Sequence, residues 1–109
     1  MDSWRVEVLN DIVRAEIAAL PEDIRAKLSH IVDLMAAMGP ERMREPHVKP
    51  LRDKLWEMRM SGRDGIARAI YMAVRGRRIV ILHAFVKKTQ KTPPQAIRLA
   101  LSRAKELKP

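Results

Sequence analysis

The chain has 109 residues, 47% hydrophobic and 32% charged, a composition that fits one globular domain over residues 1–109 and excludes a disordered or collagen-like chain. Its 22 Lys and Arg against 13 Asp and Glu leave a formal charge of +9, so the surface field favours polyanions, nucleic acid first and an acidic protein second. Without cysteine it has no disulfide or thiolate site, and His30, His47 and His83 lack the spacing of a metal motif, so neither metal nor cofactor is expected.

In chain order, Trp4, Val6 and Val8 alternate with Arg5 and Glu7, the period-two pattern of a strand with one buried face. Asn10 offers a side-chain acceptor to a helix beginning at Asp11, and the Leu20-Pro21 step ends that helix and opens another. Ile24, Leu28, Ile31, Met35 and Met38 then form one apolar stripe, with His30 at its boundary, before the stop at Gly39-Pro40. The pair is expected as an antiparallel hairpin or bent pair laid across a sheet. No secretory h-region and no apolar run near the roughly 20 residues of a membrane helix stand in the sequence, so a cytoplasmic protein without membrane contact is expected.

Residues 40–54 are polar and proline-rich, which reads as a surface connection with room for a short extended piece at His47–Leu51. In LWEMRM, Trp56, Met58 and Met60 share one face, expected in the core, while Leu55, Glu57 and Arg59 share the other, where a cleft wall and an exposed ion pair are both open readings. A Gly-containing turn leads to Ile66–Val74, where Arg68 stands among Ile66, Ile70, Met72 and Val74. A guanidinium in such company requires an anion: Glu57 would serve as an internal salt bridge, and an open phosphate site as the functional alternative.

Arg75-Gly76-Arg77-Arg78 reads as a hairpin turn, and the apolar run Ile79–Val86 as a central strand buried on both faces. Its one polar residue, His83, is either a hydrogen-bonded core residue or a proton carrier. The strand ends in Lys87, Lys88, Thr89, Gln90 and Lys91. Thr92 and Gln95 then make a capping box, with Pro93 at the first position of a helix that buries Ile97, Ala100, Leu101 and Ala104 and leaves Arg98, Arg103 and Lys105 more exposed. Lysines beside a helix N-terminus form an anion trap, unless the loop is merely solvated.

The segments LWEMR, ARAIY and ILHAFVKKTQKTPPQAI resemble the phage-derived, HigB-like branch of the RelE/ParE toxin superfamily, from Leu51 to about Lys105. The resemblance implies a small α+β domain, RelE-like, with a mainly antiparallel four-stranded sheet, an N-terminal helix pair and a C-terminal helix. It implies a type II toxin that cleaves mRNA on the ribosome and is neutralised by a cognate helix-turn-helix antitoxin. Carried over by position, Arg68, Arg59, Lys87, Lys88 and His83 are the expected catalytic set and Lys91 an expected phosphate contact; Gln90 and the basic-turn residues Arg77 and Arg78 are also expected to contact RNA phosphates. Ala67 replaces the usual aromatic before the arginine, and Ala84 stands where glycine is common.

Metal-free RNA cleavage requires the 2′-hydroxyl to attack the adjacent phosphate while the 5′-oxygen leaves, with charge stabilised on the phosphoryl oxygens. Arginine and lysine suit the last task. His83, Glu57 or a lysine whose pKa is lowered by neighbouring cations could move the protons. A ParE-like gyrase poison and a non-catalytic basic nucleic-acid-binding module are the alternatives.

Overall fold

The computed structural model describes residues 3–88 and 91–107. The elements run β1 (Arg5–Val8), α1 (Asp11–Ala18), α2 (Glu22–Met38), a 3-10 turn (Pro40–Arg42), β2 (Val48–Pro50), β3 (Trp56–Gly62), β4 (Gly65–Val74), β5 (Arg78–Lys87) and α3 (Pro94–Ala104). One sheet of five strands has the order β1-β5-β4-β3-β2. The helices carry the chain from one edge of the sheet to the other, and four antiparallel strands bring it back beside β1, to which β5 is parallel.

The α+β class stands, but the four-stranded sheet is corrected to a five-stranded mixed one. The additional strand, β2, is three residues long and ends in Pro50, which cannot donate to a ladder and is tolerated here at the sheet edge. Three residues with one proline carry too little alternation to reveal a strand. The helix pair is also not a hairpin: α1 packs mainly on β5, and α2 on β3 and β1.

One face of the sheet is covered by α1 and α2. There Val13, Ile24, Leu28, Ile31 and Met35 meet Met58, Met60, Ala67, Ala69, Tyr71, Ile79 and Ile81. Small alanines on β4 let the helices approach closely over that strand. Met38, the last residue of the expected stripe, is 42% exposed, because α2 ends there and has run past the sheet. The other face is covered by α3, whose Ala96 and Ala100 pack with Leu55, Ile70, Val80 and Leu82.

Local chemistry sets the boundaries. Asn10 caps α1 by accepting from the Val13 N–H at 3.1 Å, as the sequence suggests. Gly39 ends α2 at φ 87°, and a Cβ there would lie 2.9 Å from Trp4 Nε1, so both backbone and space require glycine. No described helix is long and apolar enough to cross a membrane.

Where β1 ends, the outer edge of β5 is closed by side chains. Glu16 of α1 accepts the Ala84 N–H at 3.0 Å, and Arg103 of α3 donates to Glu16 at 3.0 and 2.8 Å and to the Leu82 carbonyl at 2.9 Å. His83 Nδ1 lies 2.9 Å from the same carboxylate, and its ring stacks on Phe85 with centroids 4.7 Å apart. This clasp ties α1, β5 and α3 together. It also corrects Arg103, expected on the exposed face of α3, whose side chain is 13% exposed.

Candidate functional site

Strand alternation sends Glu57 and Arg59 of β3 to the α3 face, and antiparallel pairing sets Arg59 opposite Arg68 of β4. Arg68 in turn pairs with Phe85, and Ile66 with Lys87, so Lys87 is displaced by one two-residue step along the sheet from the arginine row. On the other side, Lys49 of β2 pairs with Glu57. The register therefore gathers Lys49, Glu57, Arg59, Arg68 and Lys87 from four neighbouring strands.

Glu57 is at the centre, 2% exposed. Its Oε2 is 3.4 Å from Arg68 Nε and 3.7 Å from Arg59 Nε, and its Oε1 accepts a hydrogen bond from the Thr92 hydroxyl. Arg68 is equally buried and donates from Nη1 to the Ala67 carbonyl at 3.0 Å. Arg59 reaches outward to Glu45 at 3.8 Å. Of the two open readings for Glu57 and Arg68, the internal salt bridge is present, and it lies inside the cationic cluster.

Thr92 is a correction. Its side chain does not cap α3, which starts at Pro94 with Pro93 as its N-cap and no side-chain capping bond. The hydroxyl is instead committed to the buried Glu57 carboxylate, a stronger acceptor than a backbone group.

Lys87 is 5% exposed. Burial first, then the charges of Arg68, Arg59 and Lys49, push its pKa down to about 8, and the attraction of Glu57 only partly opposes this. Burial also lowers the pKa of Arg68, with Glu57 working against the shift and Arg59 adding to it. A guanidinium so placed remains a fixed cation, whereas an ammonium titrating near 8 can exchange protons in neutral solution.

A cleft of about 580 Å³ opens on Arg59 and Arg68 and is walled by Lys27, His30, His47 and Ser61. The Arg59 N–H donates to the His47 carbonyl at 2.8 Å, which fixes His47 beside the arginine row. Sequence reasoning passed over His47. The signal was its position two residues before Lys49, which puts it on the same side of an extended segment.

The other expected site residues divide by location. Lys88 and Lys91 are exposed on the segment between β5 and α3, while Gln90 lies outside the described residues. Arg77 and Arg78 are at the opposite end of the ten-residue β5, about 30 Å from Lys87 at strand rise. Arg78 is engaged with Glu7 in a forked ion pair at 2.9 to 3.2 Å. His83 sits in the clasp, at the second strand position before Phe85.

Trp56 also departs from expectation. It shares the α2 face with Met58 and Met60 but is 40% exposed, because α2 covers the other end of β3. With Trp4 and Tyr71 it lines a second cavity of about 520 Å³. Among the described residues no group of three or more His, Cys, Asp or Glu side chains could hold a metal ion.

Residues 15–105 match the family described as phage derived protein Gp49-like (DUF891). Among solved structures, the archaeal RelE-RelB complex from Pyrococcus horikoshii OT3 contains a chain 22% identical to this one, with a TM-score of 0.58 over 78% of this chain and 96% of that chain. No curated protein sequence gave a significant match. The family match spans most of the chain and the structural likeness repeats its fold, so the protein belongs to the phage-derived Gp49-like family and has the fold of the RelE chain.

Proposed function

We propose that the protein is a ribosome-dependent mRNA endonuclease, the toxin of a type II toxin–antitoxin pair that stops translation. The observation that carries this reading is a low-pKa lysine beside two arginines: Lys87, titrating near 8, in a cluster with Arg68 and Arg59, and both arginines line an open cleft. A phosphodiester in that cleft meets two guanidinium groups able to stabilise charge on its non-bridging oxygens. The neutral fraction of Lys87, roughly a tenth at pH 7 for a pKa near 8, takes the proton of the attacking 2′-hydroxyl. His47 is the cleft's proton donor to the departing 5′-oxygen.

The products are a 2′,3′-cyclic phosphate and a 5′-hydroxyl. Proton transfer is assigned to Lys87 rather than His83, because the His83 ring is engaged by Glu16 and Phe85. Lys88 and Lys91 contact flanking phosphates from the exposed segment, and the ribosome orients the mRNA. A cognate antitoxin, a helix-turn-helix protein, covers the site.

A programmed ribosome incubated with the protein tests the reading: cut mRNA with the stated ends supports it. Intact mRNA accompanied by gyrase-dependent DNA breaks would assign the fold to a gyrase poison instead. Intact RNA with steeply salt-dependent binding would make it a binding module.

A further inference from the structure

Lys87 and Thr92, which flank the connection between β5 and α3, both interact with one carboxylate. Glu57 attracts the Lys87 ammonium at one end and accepts the Thr92 hydroxyl at the other, and it faces Arg68 and Arg59 with its second oxygen. A carboxylate within an anion-binding site repels the ligand, so its presence there, 2% exposed, calls for a compensating role. Its alternative partners would be water, and burial removes them.

The charges provide that role. Arg59, Arg68 and Lys87 carry three positive charges when Lys87 is protonated, and Glu57 reduces the sum to two. With Lys87 neutral the socket carries one positive charge against the one negative charge of a phosphodiester; when Lys87 takes the 2′-hydroxyl proton both rise to two, so with Glu57 present the charge of the socket follows that of the reacting phosphate. Without Glu57 the three cations would repel one another across the low-dielectric site and splay apart.

We propose that Glu57, locked in place by Thr92, is the positioning residue of this site: it holds Arg59, Arg68 and Lys87 in one anion-shaped socket and acts through them, without touching the RNA. This rests on the nuclease reading for its purpose, though not for its geometry. It differs from proton transfer by Glu57 itself, because both carboxylate oxygens are already committed to Thr92 and the arginines.

The test uses the full chain as wild type, Glu57→Gln, Thr92→Val and Thr92→Ser, each checked for its fold by amide NMR. Titration of the Lys87 side chain by NMR should give a midpoint of about 8 in the wild type and a lower one in Glu57→Gln, where the attraction for the ammonium is gone. Exchange of the buried Arg68 Nε–H with solvent should become roughly tenfold faster or more in Glu57→Gln and Thr92→Val and stay slow in Thr92→Ser. An unmoved Lys87 midpoint in Glu57→Gln, or unchanged Arg68 exchange in Thr92→Val, overturns the proposal. If Glu57→Gln does not fold, the Thr92 pair decides alone. Neither readout involves RNA, so a wild type that leaves mRNA intact would refute the nuclease reading while these results judge the socket separately.

Discussion

Lys87 is the residue whose charge is least secure, its pKa lowered to about 8 by burial. If its neutral amine is the base and His47 the acid, the rate of mRNA cleavage on the ribosome should follow a bell-shaped pH profile, one limb of which has its midpoint near 8. Lys87→Met should lower the rate by roughly 10²–10⁴-fold, the usual contribution of a general base. Folding stability carries the same signature. A lysine ammonium in water titrates at 10.5 and that of Lys87 in the fold at about 8, so between these values the unfolded chain holds the extra proton and stability rises with pH. Above 10 the buried Tyr71 phenol, whose pKa is raised by burial, works in the opposite direction. Urea denaturation across pH 8 to 10 should therefore show a rise in the wild type that Lys87→Met lacks. The pairing of Arg68 with Glu57 was within reach of the sequence, because a guanidinium among Ile66, Ile70 and Met72 needs an anion and LWEMR supplies one. The role of Thr92 was not: its capping-box pattern is local, while the carboxylate that captures its hydroxyl stands 35 residues earlier.

At the scale of elements, the clasp of Glu16, Arg103 and His83 closes an edge that the short β1 leaves uncovered. Burial pushes the Glu16 carboxyl up, but hydrogen bonds from Arg103, His83 and the Ala84 N–H outweigh it and hold the pKa below the usual 4.5. Its contribution to stability is present above pH 4.5 and is lost as pH falls through the lower folded value. Glu16→Gln should cost about 1–3 kcal/mol at neutral pH, a difference that narrows on acidification, as thermal melts at both pH values would register. Gly39→Ala should cost a similar 1–3 kcal/mol, read from urea midpoints, since it forces a side chain into a strained backbone and against Trp4. Helix α2 and the three long strands were legible because their apolar periods are sustained over many residues. β2 was visible only as a short extended piece, and the parallel placement of β1 was not visible at all, because strand neighbours are chosen by tertiary packing.

Over the whole molecule, with its formal charge of +9, cations stand at both ends of the sheet. The Lys87 end holds the buried socket, with Lys88 and Lys91 exposed nearby, while Arg78 at the far end is spent on Glu7, fastening β1 to β5. Arg78→Ala should loosen β1, seen as faster amide exchange at Val6 and Val8, and leave cleavage by the folded protein unchanged. Ribosome binding should weaken with salt in proportion to the phosphates contacted, and Lys88→Ala with Lys91→Ala should reduce that salt slope by about 2. The most direct measurement is a programmed-ribosome cleavage assay comparing wild type with Arg68→Lys, which keeps the charge and removes the guanidinium fork. Cut mRNA ending in a 2′,3′-cyclic phosphate for the wild type, with cleavage reduced roughly 10²-fold or more in folded Arg68→Lys, is the predicted result. Intact mRNA with the wild type, or full cleavage by the variant, would contradict it.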